Sequence, residues 1–506
     1  MIRPLVQIAA AAMCGAIVQT TTPAIGAWER FHGDAANRGF ADVDTKPAAG
    51  GSVSVPGLGT FAAGAGPVIA PDGTVYLGTQ EGKLIALHAD GKPFWSREVD
   101  QGESIVASPA IGADGSVYVI GAKLKITKLG TFKKTEIGST LYRFNATGAL
   151  LARTPFPKQG LRAATTAPPN IVSVGGREII LAPALYKNPT VKNGDDVRLI
   201  GFSTNGGVVL DKLVAPQPGV DVVTGGGPSA SDLVLGFSCV LPTPATYVYC
   251  ELKGGWDYNP QRVPAAPPFP PPLPSVAVFT FAGGGAPHVI VSDQRHTIVD
   301  FTVTGTSSKP VLTQVFRDGD PQRKLLSPPM VLPEGRTLAS TAGEQIVFSG
   351  PASGKPAPVG SPGIVFGAPT RTVNGFAVVV GMSGLAVLNN GKVVSETSLP
   401  PSHTSAAASR THVFVSTTDA FVTLDTDAQL KVQSFDWVGG GKSPPAIGPD
   451  GRVYAIASDI LFIFPPPLKV SKPSPHAPGT SAVPSSAPSP PSVSRPLRTG
   501  GLVSVR

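Results

Sequence analysis

A repeated peptide is the feature that most constrains this chain. The stretch "SPAIGADGSVYVIG" at 108–121 recurs with small changes at 66–79, 327–341 and 443–458. Each copy holds a proline, a short apolar run, an acidic residue followed by glycine, and then alternating apolar residues. Because glycine readily adopts a positive φ, an acidic-Gly pair between two strand-like runs predicts a β-hairpin. The four predicted turn pairs are Asp72-Gly73, Asp114-Gly115, Glu334-Gly335 and Asp450-Gly451.

The residues that follow the first hairpin predict two more strands. "GKLIAL" and "GKPFW" each follow a turn, so four short strands fit into about 42 residues, the spacing from Asp72 to Asp114. Four antiparallel strands with a period in the forties are typical of a propeller blade. Similar repeats, each the start of a predicted blade, begin near residues 66, 106, 165, 275, 327, 367, 406 and 443. The sequence therefore predicts an all-β fold, a single β-propeller of about eight four-stranded blades, or seven if one middle copy is misread.

The last repeat is short, and this predicts how the ring closes. After "RVYAIASDILFIF" the chain no longer resembles strands, so we expect the segment 28–65 to supply the missing outer strand of the last blade. The propeller itself then spans 66–464. Residues 224–274 fit no blade and end in a proline-rich stretch, which predicts an extended insertion. The Pro/Ser-rich basic tail at 465–506 is predicted to be disordered, either idle or a tether to an anionic surface.

The first 27 residues resemble a secretory signal. Arg3 is followed by an apolar run, and small residues before Ala24 or Ala27 offer cleavage sites. A membrane anchor is the alternative, but the run is shorter than the roughly 20 residues that cross a bilayer. Met13 precedes Cys14 where lipoprotein signals place a small residue, which disfavours a lipid anchor. We expect a periplasmic or secreted protein without a transmembrane anchor after cleavage.

Two cysteines remain beyond the signal, Cys239 and Cys250. They lie in two β-prone runs on either side of the turn-like "PTPAT", which predicts that they face each other on paired strands. In an oxidising compartment they would form a disulfide. Two buried free thiols are the alternative.

The positive net charge is modest for a chain of 506 residues. The formal net charge is +8, and the densest basic stretch is "KLKITKLGTFKK" at 123–134, with lysines at 123, 125, 128, 133 and 134. It is either a patch for anionic lipid or polysaccharide, or an exposed hairpin whose lysines discourage edge pairing, and we favour the second. Because no nucleic-acid-binding motif is present, we do not expect a nucleic-acid partner.

The repeats resemble those of the pyrroloquinoline-quinone-like (quinoprotein-like) β-propellers. The resemblance rests on "SPAIGADGSVYVIG", on "GKLIALHADGKPFW", and on the opening "WERFHGDAANRGF" from Trp28 to Phe40. That superfamily includes quinone-dependent dehydrogenases and non-catalytic propellers such as the outer-membrane-assembly component. The dehydrogenases usually hold the quinone between a tryptophan and a disulfide of adjacent cysteines, over a calcium ion. Cys239 and Cys250 are not adjacent, so the resemblance points to the non-catalytic branch.

The remaining residues indicate no catalytic, cofactor-binding or metal site. The seven histidines are scattered, "GMSG" and "GFSTNGG" miss the spacing of a nucleophile elbow, and no phosphate-binding loop is present. We therefore expect no cofactor, and a monomeric binding or scaffolding module with protein partners in the bacterial envelope or outside the cell. The alternatives are a quinone-dependent oxidoreductase and a propeller hydrolase or lyase with an unrecognised site.

Overall fold

The computed structural model describes residues 28–467 with short gaps. The gaps are 49–50, 130–131, 162–164, 166, 191–194, 218–236, 241–248, 253–254, 257–274, 282, 293–296, 320–326, 334, 341–344, 349–356, 360–366, 382–383, 390–391, 403, 428, 437–439 and 442. The predicted signal at 1–27, much of the predicted insertion at 224–274 and nearly all of the predicted tail at 465–506 lie outside the described residues.

Within the described residues, thirty-six strands, numbered in chain order, form antiparallel sheets. The first strand is β1 (Val53–Val55). The first sheet contains β2 (Val68–Ile69), β3 (Val75–Gly78), β4 (Lys83–Leu87) and β5 (Pro93–Glu98). The second contains β6 (Ser104–Ile105), β7 (Ala110–Ile111), β8 (Val117–Leu129), β9 (Phe132–Phe144) and β10 (Leu150–Pro155). The third contains β11 (Asn170–Val174), β12 (Arg177–Lys187), β13 (Asp195–Ser203) and β14 (Val208–Gln217).

The pattern continues after a small three-stranded sheet of β15 (Phe237–Val240), β16 (Tyr249–Leu252) and β17 (Gly255–Trp256). The fourth repeating sheet is β18 (Ser275–Phe279), β19 (His288–Ser292), β20 (Thr297–Thr306) and β21 (Lys309–Gly319). The fifth is β22 (Met330–Val331), β23 (Thr337–Ser340), β24 (Gln345–Phe348) and β25 (Ala357–Val359). The sixth is β26 (Thr370–Arg371), β27 (Ala377–Gly381), β28 (Gly384–Asn389) and β29 (Lys392–Thr397).

The last two sheets bring the two ends of the repeat region together. The seventh is β30 (Ala407–Ala408), β31 (His412–Ser416), β32 (Phe421–Asp425) and β33 (Val432–Asp436). The eighth contains β34 (Ala446–Ile447), β35 (Val453–Ala457) and β36 (Ile460–Phe464). Its fourth strand is β1, which pairs antiparallel with β36 so that Val53 lies opposite Ile463 and Val55 opposite Leu461. This is the position that the sequence assigns to the N-terminal segment.

Burial explains why the strands differ in composition within each sheet. The second and third strands are buried on both faces, as in "VYLG" of β3 and "VYAIA" of β35, because a neighbouring sheet covers each face. The outer strands are more exposed: β5 is exposed at five of its six residues, and β29 "KVVSET" at every second residue. The described residues thus have the all-β, repeated four-stranded architecture of a propeller, as predicted. The count of eight blades for the whole chain stays a prediction.

Apolar clusters connect each sheet to the next and the last sheet to the first. The side chains that share clusters across successive sheets include Val68 with Val117, Ile120 with Ile180, Leu199 with Val289, Ile290 with Val331, Leu338 with Val379, Val380 with Val413, Phe414 with Ile456, and Ile463 with Leu87. Because the series returns to its start, the sheets form a closed ring. In the part of the chain that the structure describes, no helix is long and apolar enough to cross a membrane.

Gly91 lies where the closing sheet meets the first sheet. Its φ is +86°, and a Cβ at this position would lie 2.7 Å from both Val55 Cγ2 and Ile463 Cδ1. Gly115 has a similar φ of +76°, but a Cβ there would meet nothing within 4 Å. The two glycines therefore share one backbone requirement and differ in their packing.

We expect Gly91→Ala to lower the free energy of unfolding more than Gly115→Ala does. The left-handed φ costs about 1 kcal/mol in both variants, and overpacking at the ring closure adds roughly 1–3 kcal/mol in Gly91→Ala alone. Urea unfolding of both variants measures the difference. Equal losses would contradict close packing between β1, β36 and the first sheet.

Candidate functional site at the ring axis

Residues 28–45, which we call the axial segment, cross the inner strands of the ring. Six of these strands donate a backbone N–H to a carbonyl oxygen of the axial segment. The bonds are Ile69 N to Trp28 O (2.7 Å), Ile111 N to Glu29 O (2.8 Å), Val278 N to Ala35 O (2.6 Å), Val331 N to Ala36 O (2.9 Å), Arg371 N to Arg38 O (2.8 Å) and Ala408 N to Gly39 O (2.7 Å). The order of acceptors along the segment follows the order of sheets along the chain, so the segment winds around the axis with them.

The third sheet is connected to the axial segment through side chains. Arg30 Nη1 donates to the carbonyl of Ile171 on β11 (3.2 Å). Asn170 Nδ2, on the same strand, donates to Ala35 O (2.9 Å). In the eighth sheet, Ile447 shares a core cluster with the Trp28 side chain. An inner strand is an edge strand, whose unpaired backbone groups need partners when buried. The axial segment provides those partners.

His32 connects two turns of the axial segment to the sixth and seventh sheets. The side chain is buried, with Nδ1 2.7 Å from Asn37 O and Nε2 2.8 Å from Ala406 O. Thr370 Oγ1 lies 3.1 Å from Nε2. Burial lowers the pKa of His32, against the opposite effect of the two carbonyl oxygens. The neutral imidazole is thus the form that the folded protein favours.

Asn37 connects the axial segment to the fourth and fifth sheets, as His32 connects it to the sixth and seventh. Its Nδ2 donates to Val276 O (3.2 Å) and to Pro329 O (3.0 Å), and its φ of 56° lies in the left-handed region that asparagine tolerates. Asp34 stabilises the turn before it, because its Oδ1 accepts from the backbone N–H of Ala36 and of Arg38. Arg38 also donates to Asp34 Oδ2 at 2.5 Å.

The Arg30 side chain, which lies at the axis, makes fewer hydrogen bonds than its donors allow. Burial lowers the pKa of the Arg30 guanidinium, although the carboxylates of Glu29, Glu178 and Asp34 favour its charged form. Its Nε has no hydrogen-bond partner among the described residues. Burial also raises the pKa of Glu29. Because acidic side chains surround Arg30, this group does not form an anion site.

Two further buried polar clusters do not involve the axial segment. His288 Nδ1 is 3.0 Å from both carboxylate oxygens of Asp300, and both side chains are buried. Glu103 is buried in the second sheet, where it accepts from Thr140 Oγ1 (2.9 Å) and Tyr142 OH (2.8 Å). Within the described ranges, no three His, Cys, Asp or Glu residues come close enough to hold a metal ion.

The structure places the predicted turn residues between the first and second strands of their sheets. Gly73, Gly115, Gly335 and Gly451 have φ between 76° and 87°. The carboxylates of Asp72, Asp114 and Asp450 accept from the backbone N–H two residues later, at 2.9, 2.9 and 3.0 Å. Glu334 lies outside the described residues. These residues therefore form turns and are not brought together into one site.

Cys239 and Cys250 are directly opposite each other in the pairing of β15 with β16. This register is the one that the sequence predicts for them. The disulfide itself stays a prediction.

The residues of the axial segment were not predicted individually from the sequence. The sequence predicts that residues 28–65 close the ring, and residues 28–40 resemble the opening of related propellers. It predicts no contact for a single side chain of the axial segment, because these side chains follow neither a strand nor a helix period. The available signal was its mixture of Gly, Asn and Asp with bulky side chains directly before the first repeat, which favours turns over regular structure.

Comparisons with known proteins agree with the repeats. Residues 42–155 match a family model described as the outer membrane protein assembly factor BamB. No curated protein matches the chain. Similar solved structures include BamB from Moraxella catarrhalis, with 12% identity, a TM-score of 0.48, and coverage of 83% of this chain and 99% of that chain. A streptogramin B lyase has 10% identity, a TM-score of 0.37, and coverage of 82% and 96%.

Protonation of His32 is expected to destabilise the fold at acidic pH. Below about pH 6.5 the unfolded chain protonates this histidine, whereas the folded chain, with its lowered pKa, does not. Stability is therefore retained above about pH 6.5 and falls as the pH decreases, by up to about 1.4 kcal/mol per pH unit from this group. In His32→Asn, urea unfolding from pH 8 to pH 5 should show a smaller loss than the wild type.

A matched control for this experiment is His88→Asn, which changes an exposed histidine. Its stability should follow the wild-type pH dependence. Parallel curves for the wild type and His32→Asn would contradict the assignment of the acid sensitivity to the axial segment.

We expect a disulfide between Cys239 and Cys250. In a Cys14→Ser background, the unfolded chain should then show no reactive thiol without reductant and two after reduction. Such a bond, closing a short loop, stabilises by roughly 3 kcal/mol. Two reactive thiols in the unreduced, unfolded chain would establish free cysteines instead.

The family match over residues 42–155, within repeated four-stranded antiparallel sheets, confirms the resemblance read from the sequence. Residues 42–155 thus resemble the repeats of the pyrroloquinoline-quinone-like propellers, in particular those of the outer-membrane assembly factor.

Proposed function

We propose that this chain is an exported, non-catalytic propeller that binds protein partners in the bacterial envelope. The observation that carries the proposal is the match of residues 42–155 to the assembly-factor family. These residues span β1 to β10, which are the closing strand of the ring and its first two sheets.

The axial segment supports a binding role on physical grounds. Its bonds to the inner strands hold the sheets at fixed positions relative to one another. A surface that is already ordered loses little conformational freedom when it binds, so its contacts contribute more fully to affinity. A rigid ring therefore suits a partner that contacts several sheets at once.

Exposed apolar side chains within the matched residues define a candidate contact surface. Phe94 on β5 and Leu150 and Leu151 on β10 are 46%, 53% and 49% exposed. The side chains of β5 bind the turn that leads into β10, since Trp95 Nε1 donates to Ala146 O (2.9 Å) and Arg97 Nε to Gly148 O (2.8 Å). Exposed apolar and aromatic side chains beside fixed polar groups are typical of protein interfaces.

The triple variant Phe94→Ser, Leu150→Ser, Leu151→Ser should lose its envelope partners. Cross-linking in cells, followed by purification of the tagged chain and mass spectrometry, measures the recovered proteins. We expect the partners of the wild type to fall at least about tenfold, because loss of a buried apolar anchor costs 1–2 kcal/mol or more. The melting temperature should stay nearly constant, since these side chains are exposed.

The matched control is Leu213→Ser, Val311→Ser, Val315→Ser, which changes three exposed apolar residues on the outer strands of the third and fourth sheets. It should retain the partners. Equal loss in both variants would contradict a binding surface on the first two sheets. Stoichiometric binding of pyrroloquinoline quinone with calcium, accompanied by dye reduction, would contradict the non-catalytic role itself.

A further inference from the structure

The hairpin of β8 and β9 extends far beyond the sheet to which it belongs. Pairing of β6 with β8 ends at Ala122, and pairing of β10 with β9 ends at Thr140. The ladder between β8 and β9 nevertheless continues through seven more pairs, from Lys123 opposite Gly138 to Leu129 opposite Phe132. At about 3.4 Å per residue, this two-stranded part reaches roughly 20 Å past the sheet. We call residues 123–138 the basic hairpin.

The length of the basic hairpin distinguishes the second sheet from its neighbours. β8 has 13 residues, whereas the second strand of the third sheet, β12, has eleven. The second strands of the other sheets, β3, β19, β23, β27, β31 and β35, have only four or five. Two strands without further support are marginally stable in water. A hairpin that projects this far would therefore be stabilised by binding to a surface.

The register concentrates positive charge toward the end of the basic hairpin. It contains five lysines and one glutamate. The register places the one glutamate, Glu136, opposite Lys125. Lys128, however, lies directly opposite Lys133, and Lys134 is adjacent. Because like charges on opposing strands destabilise a hairpin, this arrangement favours a negatively charged ligand.

Apolar pairs accompany the lysines. Leu124 lies opposite Ile137, and Leu129 lies opposite Phe132 at the last pair before the turn. An apolar and aromatic end next to a group of lysines is the composition that binds bilayer interfaces, where lysines meet anionic headgroups and the apolar residues meet the acyl boundary. A soluble polyanion would use the lysines alone. The combination favours a lipid surface.

We propose that the basic hairpin docks the propeller on a bilayer that contains anionic phospholipids. The contact is made by the end of the hairpin, where the register places the Lys128–Lys133 and Leu129–Phe132 pairs next to Lys134. This docking is independent of the protein-binding surface on β5 and β10.

The test is sedimentation of the full chain with phosphatidylcholine vesicles that contain or lack phosphatidylglycerol. We expect binding only to the anionic vesicles, with weakening at high salt. Lys128→Glu, Lys133→Glu should weaken it at least about tenfold. The matched control Lys309→Glu, Lys392→Glu has the same change in net charge at exposed positions on β21 and β29, and should bind within about twofold of wild type.

A variant with a shortened hairpin tests whether vesicle binding can be lost without a loss of stability. Replacing residues 124–137 by Asn-Gly joins Lys123 to Gly138, which are directly opposed and therefore suit a two-residue turn. This variant should keep the wild-type melting temperature and lose vesicle binding. Equal vesicle binding by all variants, or equal loss in the Lys309 and Lys392 control, would overturn the proposal. Binding to dextran sulfate without binding to anionic vesicles would also overturn it, in favour of a polymer ligand.

Discussion

The backbone bonds between the axial segment and the inner strands are the interaction on which this ring depends. Packing between blades covers the faces of each sheet, but it leaves the inner edge with unpaired N–H groups directed at the axis. A buried donor without a partner costs about 1–3 kcal/mol. The carbonyl oxygens from Trp28 to Gly39 accept six of these bonds at 2.6–2.9 Å. A dozen residues of the axial segment thus provide hydrogen-bond acceptors for the inner strands of several sheets.

Local sequence predicted much of the fold because the blade is a local structure. The hairpin of "SPAIGADGSVYVIG" needs only a turn and two alternating runs, and the short last repeat indicated that strand β1 would complete it. The axial segment could not be predicted in the same way. His32 contacts Ala406, and Asn37 contacts Val276 and Pro329. Contacts between residues so distant in sequence produce no periodic pattern in the sequence. The polar pair of His288 and Asp300 was missed because its members stand on different strands within otherwise ordinary apolar runs.

Function is harder to infer from such a chain than fold. Asp-Gly turns and alternating valines build the same blade whether or not a ring carries a cofactor, so the repeats identify an architecture. A functional hypothesis for this ring therefore has to rest on the parts that do not repeat. These are the axial segment, the exposed apolar side chains of β5 and β10, and the part of β8 and β9 that extends beyond the rest of their sheet.

The pairing of β1 with β36 also has a consequence for the order of folding. The two strands are more than four hundred residues apart in sequence, yet they are neighbours in one sheet. Contacts of such long range form late, since the chain must first lose the entropy of the loop between them. Strand β1 is therefore synthesised before all the other strands and pairs with the last of them. Until residue 464 is available, each earlier sheet has formed beside an open seam, and completion of the final sheet converts a row of blades into one cooperative unit.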